Sequence, residues 1–219
     1  MNELYIKRYF FRAKLAALFL RLTPYVRMVI LNGSLSSGKA RAESDIDFLV
    51  ILKKKRIWSG RFFTTAIIQL MGLRRTPEKI AGKICLNYYL TEDYLKVLEL
   101  EKNASCYSSI IVLLGNRRIF EKYCQANAWF KKFKQAVRTQ DLNKIFWQNV
   151  IFFPLQICQF LLEFIFELVF SDWGERQLKV YQIKKIAANP LTKLAKKNEI
   201  YLSDRELRFH PSKTNVKLS

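Results

Sequence analysis

The chain has 219 residues, 50% of them hydrophobic and 14% aromatic, with only 7 Gly and 5 Pro, which excludes disordered, fibrous and low-complexity classes. Lys and Arg number 38 against 18 Asp and Glu, a net charge of +20 that favours polyanionic partners: nucleic acid, nucleotide phosphates or an acidic membrane surface. A single histidine, His210, excludes mechanisms that need several.

Residues 3–22 place Tyr5, Tyr9, Ala13, Ala16 and Leu20 at helical spacing with basic residues between them, an amphipathic helix that Pro24 ends. Val26, Met28, Val29, Ile30 and Leu31 form an apolar run stopped by Asn32-Gly33, which predicts a buried strand. Residues 36–43 are small, polar and charged, a loop with a helical turn. Residues 45–52 predict a second strand, closed by Lys53, Lys54, Lys55 and Arg56, which read as a charged strand exit rather than a dedicated nucleic-acid site. A helix is expected over 60–73. Residues 84–90 alternate, with Ile84, Leu86, Tyr88 and Leu90 on one face and Cys85, Asn87 and Tyr89 on the other, a third strand. This order predicts an α+β fold in which a small mixed sheet carries packed helices and forms a domain over residues 1–93.

From 94 to 188 the spacing is mostly helical, with turn signals at Gly115-Asn116, near Asp141 and at Asp172-Trp173-Gly174, and a helical domain is expected. Residues 152–170 approach the ~20 apolar residues a membrane span needs. Gln156, Gln159, Glu163 and Glu167 nevertheless recur as one polar stripe, and two glutamates inside a span would be costly. The stripe favours a helix packed within the chain or on a partner over one in lipid. Trp129, Trp147 and Trp173 read as core of this helical half. Residues 189–219 form a basic tail with a short strand at 199–203, and His210 belongs to it without a catalytic role. The cysteines Cys85, Cys106, Cys124 and Cys158 lack zinc-site spacing and stand in apolar contexts. They predict reduced core residues, and with no signal peptide evident the expected location is the cytoplasm.

Two readings compete for the segment that follows the first strand. Gly33, Gly38 and Lys39 fit a phosphate loop, but Ala40 stands where a magnesium-binding hydroxyl is required, and Asp45 opens the next strand too soon for the long helix of that fold. The alternative joins Gly33-Ser34 to Asp45 and Asp47. Alternate strand residues point the same way, so the two carboxylates lie only ~6–7 Å apart along one face. Two negative groups that close resist ionising together unless a cation lies between them. Magnesium prefers such oxygen ligands and keeps positions open for phosphates. A Gly-Ser turn lets backbone N–H groups and a hydroxyl approach a triphosphate, and the set suits two-metal phosphoryl or nucleotidyl transfer.

Leu31-Asn32-Gly33-Ser34, a spacer of ten, then Asp45-Ile46-Asp47-Phe48 resembles the signature of the polymerase-beta-type nucleotidyltransferase superfamily. The similarity is closest to its minimal, MNT-like prokaryotic members, whose spacer Gly38, Ala40, Arg41 and Ser44 match in place. The resemblance implies that Gly33 and Ser34 bind nucleotide phosphates and that Asp45 and Asp47 ligate magnesium ions. Lys39 and Arg41 would then face the phosphates. The family adds a third acid on a later strand, where this chain offers Asn87, with Glu92 and Asp93 beyond it. An asparagine can lend a carbonyl oxygen but cannot act as a general base. Ser37 stands where relatives often carry arginine.

The expected reaction is magnesium-dependent transfer of a nucleoside monophosphate from ATP or another nucleoside triphosphate to a hydroxyl on an RNA end, a protein side chain or a small molecule. Two rival expectations stand beside it. One is a nucleotide-binding or interaction module that kept the fold and lost turnover, which Asn87 favours. The other is a basic nucleic-acid-binding protein in which the charge of +20 matters more than the loop.

Overall fold

Alternation within the apolar runs decides which side chains meet which core. The computed structural model describes residues 2–99, 101–133, 153–169, 171–189, 192 and 200–209. Strand β1 (Val26–Asn32) sends Val29 and Leu31 into one buried cluster and Met28 and Ile30 into another. Strand β2 (Ile46–Leu52) divides likewise, with Phe48, Val50 and Leu52 on one side and Leu49 and Ile51 on the other. Strand β3 (Ile84–Thr91) places Tyr89 in the first cluster and Tyr88 and Leu90 in the second. Because both faces are covered, these strands read as continuous apolar runs.

Helix α1 (Asn2–Leu20) supplies Tyr9, Ala13, Ala16 and Leu20 to the first cluster, as their spacing predicts. Helix α3 (Ile57–Leu70) adds Ile57, Trp58 and Ile68 and makes the crossover that the parallel pair β2–β3 requires. The second cluster is closed by Tyr107 of α4 (Glu101–Ser108), by Ile119, Phe120 and Tyr123 of α5 (Arg117–Ala126), and by Phe130 of the 3-10 turn Ala128–Phe133. The sheet order is β4-β1-β2-β3-β6-β5, with β4 (Ile111–Leu114), β5 (Ile200–Leu202) and β6 (Glu206–Phe209) in antiparallel pairings. The α+β class and the mixed sheet agree with the expectation.

The sheet itself does not stop at residue 93. Leu31 pairs with Ile111 and Ile30 with Val112, and Tyr88 pairs with Arg208, so both flanks of the β1–β2–β3 core are built from later chain. Four residues are too few for periodicity to tell a strand from a turn of buried helix, which is why 111–114 reads as helical. The expected strand at 199–203 exists as β5, but it joins this sheet through β6.

Helices α6 (Phe153–Val169) and α7 (Ser171–Ala188) meet at a bend of 89°, at Ser171 with φ +36. Asp172-Trp173-Gly174 therefore lie in the first turn of α7 and not in a turn between elements. The polar stripe of α6 faces the ends of β1 and β2. Gln159 donates to the Thr23 and Val26 carbonyls at 2.8 and 2.9 Å, Glu163 accepts from the Tyr25 N–H and the Arg27 guanidinium, and Glu167 accepts from Arg56 and Lys53. The basic strand exit is thus the docking ground for α6, with Lys54 paired to Asp93. The opposite face of α6, with Phe160, Phe164 and Leu168, is exposed, and among the described residues no single helix is long and apolar enough to cross a membrane.

Trp129 is core, but Trp173 is 58% exposed. None of the four cysteines is in a disulfide; Cys106 and Cys158 are exposed and not core residues, while Cys85 and Cys124 are half-buried. The turn near Asp141, Trp147 and His210 lie outside the described residues.

Candidate active site

Three neighbouring strands bring the polar residues together. Asn32 at the end of β1 lies opposite Asp47 of β2, and Asp47 lies opposite Cys85 of β3. Residues in register rise from the same face of a sheet with Cβ atoms about 5 Å apart. A register shift between Phe48 and Leu49 leaves Asn87 as the extra residue of β3, and its Nδ2 donates to Asp47 Oδ1 at 2.9 Å. Asp45 precedes β2, held there by the Ile46 N–H donating to the Lys83 carbonyl at 2.8 Å.

The short helix α2 (Gly33–Ser36) begins directly over these acids. Gly33 has φ +76, and a Cβ built on it would collide with the Asp47 carboxylate. Glycine is required there twice over, by its backbone conformation and by the closeness of Asp47. The loop is then tied in place. Ser37 donates its hydroxyl to the Gly33 carbonyl at 2.9 Å, Ser36 donates to the Ser109 carbonyl at 2.7 Å, and Ser109 returns a bond to the Ser36 carbonyl. Ser37, standing where relatives often carry arginine, here closes the turn. Ser34 is half-buried beside Gly33, and its carbonyl accepts from the Lys39 N–H at 2.8 Å.

Gly33, Ser34, Asp45, Asp47 and Asn87 therefore converge. The Lys39 and Arg41 side chains are exposed on the loop into β2, with the Arg41 N–H bonded to the Ser44 hydroxyl. Glu92 and Asp93 are not at the site. Thr91 pairs with Leu52, five positions and about 16 Å along the strand from Asp47, and the two acids meet Arg27 and Lys54 at that far end.

Two residues that sequence reasoning passed over complete the arrangement. Arg75 Nη1 donates to Asp45 Oδ2 at 2.7 Å and to Cys85 Sγ at 3.3 Å. It reaches them because residues 73–75 run beside the start of β3, with the Arg75 N–H donating to the Ile84 carbonyl at 2.9 Å. No local signal announces such a fold-back. Cys85 did carry one, since it shares the alternate face of 84–90 with Asn87. Its Sγ and one carboxylate oxygen each from Asp45 and Asp47 lie within 4.8 Å of one another. Near Asp47 two carbonyl oxygens, Asn32 Oδ1 and Asn87 Oδ1, are buried without a hydrogen-bond partner.

Burial, reinforced by the Asp47 carboxylate, pushes the Cys85 thiol up to about 12. Only the thiolate is nucleophilic, so Cys85 should alkylate with iodoacetamide at pH 8 at least about ten times more slowly than exposed Cys158. Peptide mass spectrometry over a time course measures this, and equal rates would contradict a thiol held protonated.

The family model described as nucleotidyltransferase domain matches residues 12–134. That range contains every residue of the site described above. No curated protein and no solved structure gives a significant match to the chain.

Proposed function

The chain belongs to the nucleotidyltransferase domain family, and from that premise we propose that it transfers a nucleoside monophosphate from a nucleoside triphosphate to a hydroxyl acceptor with the help of magnesium. The observation that carries this reading is Gly33 closed against Asp47, with Asp45 beside it, inside the matched range. The donor set fits the divalent ions that such chemistry uses, because two carboxylates and two unpartnered carbonyl oxygens gather within one wall of the sheet.

Asp45 and Asp47 would hold the metal. Bound there, a divalent ion neutralises phosphate charge and polarises the phosphoryl group that is transferred. Gly33 keeps the backbone low enough for a triphosphate to lie over α2, and Ser34 offers it a hydroxyl. Asn87 orients Asp47 through its amide, which fixes the carboxylate before substrate arrives. Asn87 cannot take a proton, so the acceptor hydroxyl gives up its proton without a third carboxylate from that position. The net charge of +20 favours RNA or another polyanion as acceptor.

The deciding experiment incubates the purified chain with each radiolabelled nucleoside triphosphate, magnesium and a total RNA and protein extract, beside the double variant Asp45→Ala, Asp47→Ala. Label is expected on a macromolecule with the unaltered chain and not with the variant. Asn87 supports a second reading, a nucleotide-binding module without turnover, and magnesium-dependent binding with no transfer would establish it. Loss of binding as well would overturn both.

A further inference from the structure

We propose that Cys85 is a metal ligand and makes the centre with Asp45 and Asp47 a mixed carboxylate–thiolate site, which prefers a borderline-soft divalent ion of the zinc, cobalt or cadmium type to magnesium. The inference rests on the nucleotidyltransferase reading only in placing a cation at the two aspartates.

Position comes first. Cys85 is the in-register neighbour of Asp47 on a parallel strand, so its side chain leaves the sheet on the same face. Its Sγ lies within 4.8 Å of a carboxylate oxygen on each aspartate. Metal–ligand bonds of about 2.0–2.3 Å can span such a set after small turns of the side chains. The Arg75 guanidinium already bonds Asp45 and Cys85 through the same nitrogen, so these two groups converge on one cationic donor.

A second observation comes from β1. Asn32 is 2% exposed, yet its Oδ1 has no partner, and it flanks Asp47 from the side opposite Cys85. A buried acceptor left unsatisfied is costly, and Asn87 Oδ1 repeats the pattern from β3. A cation at Asp47, or water bound to it, gives both oxygens what they lack. The pair points to a ligand independently of the acids and the thiol.

The chemistry decides which ion. Carboxylate and carbonyl oxygens alone suit magnesium, whereas a thiolate among them shifts preference toward zinc-like ions. A thiol that coordinates such an ion loses its proton to solvent outright, so binding exchanges one proton for the metal. Within this fold, Cys85 would therefore decide which metal dominates the site when several compete.

The test uses the full chain with Cys106→Ser and Cys158→Ser, which removes the exposed thiols, treated with chelator and titrated with Co²⁺. A thiolate-to-cobalt charge-transfer band in the near ultraviolet should rise and saturate at one equivalent. Adding Cys85→Ser should abolish the band and weaken zinc binding at least about ten-fold by calorimetry. Adding Cys85→Asp instead should keep cobalt binding without the band, which separates a lost ligand from a lost fold. No band before Cys85 is changed, or a band that survives its change, overturns the proposal. Binding of magnesium with a nucleoside triphosphate, measured in the same samples, separates the two failures. Intact nucleotide binding without the band refutes the thiolate ligand alone, whereas a band without nucleotide binding upholds the ligand and refutes the transferase.

Discussion

Alanine at Gly33 should lower both stability and transfer, whereas alanine at Gly38 should lower stability alone. The two glycines have nearly the same backbone, φ +76 and +73, so each substitution forces an L side chain into the left-handed region. That strain costs about 1–2 kcal/mol at either position. Their surroundings differ. A Cβ at Gly38 meets nothing within 4 Å, while one at Gly33 runs into the Asp47 carboxylate. Asp47 cannot yield cheaply, because Asn87 holds its Oδ1, so either the carboxylate or the α2 turn must move. A displacement near 1 Å in a site of this kind costs about 10²-fold in rate. Denaturant unfolding should show a loss for both variants, larger at Gly33, where the collision with Asp47 adds to the shared backbone strain. Initial rates of transfer should separate them by about two orders of magnitude, and equal rates would mean that Gly33 serves the backbone turn alone and has no bearing on the site.

The central βαβ unit and its two aspartates were legible because their signals are local. An apolar run, a glycine turn and two acids at period two need no distant partner to be recognised. The same holds for the polar stripe of α6, whose residues do face one way, although the surface they face was not readable. Lys53 and Arg56, read in the sequence as part of a charged strand exit, and Arg27, which carries no signal there, are in fact the partners of Glu163 and Glu167, more than a hundred positions away. Residues 111–114 and 206–209 become strands only because β1 and β3 present free edges to them. Arg75 is the clearest case within the site. Its role depends on the chain from 73 to 75 turning back along β3, and nothing in Arg74-Arg75 distinguishes it from a surface pair.

Removing Glu163 should destabilise the protein far more than removing Glu167, although both sit on the same stripe and both bind cations. Glu163 is 6% exposed and accepts from the Tyr25 N–H at 2.8 Å and from both Arg27 terminal nitrogens at 2.7 and 2.8 Å. Glu163→Ala strands a backbone donor and a guanidinium together. Breaking a buried pair costs about 3–5 kcal/mol, and the lower end applies because Arg27 keeps Glu92 within 3.9 Å. For a chain of this size about 3 kcal/mol corresponds to a fall of roughly 6–12 °C in melting temperature. The Glu167 side chain is 29% exposed, and Arg56, itself only 9% exposed, keeps Asp172 at 2.7 Å when Glu167 is lost, so Glu167→Ala should cost about 1 kcal/mol. Bonding to Arg56 holds the Glu167 carboxyl below its usual range. Its contribution is therefore present above the ordinary carboxylate range and lost as the pH falls through the depressed value, so Glu167→Gln should flatten only the acid limb of the stability profile. Because the α6 dock lies at the opposite ends of β1 and β2 from Asn32 and Asp47, Glu163→Ala protein that remains folded at low temperature should keep its nucleotide binding. Loss of that binding in a sample with an intact unfolding transition would mean that α6 supports the site as well as the sheet.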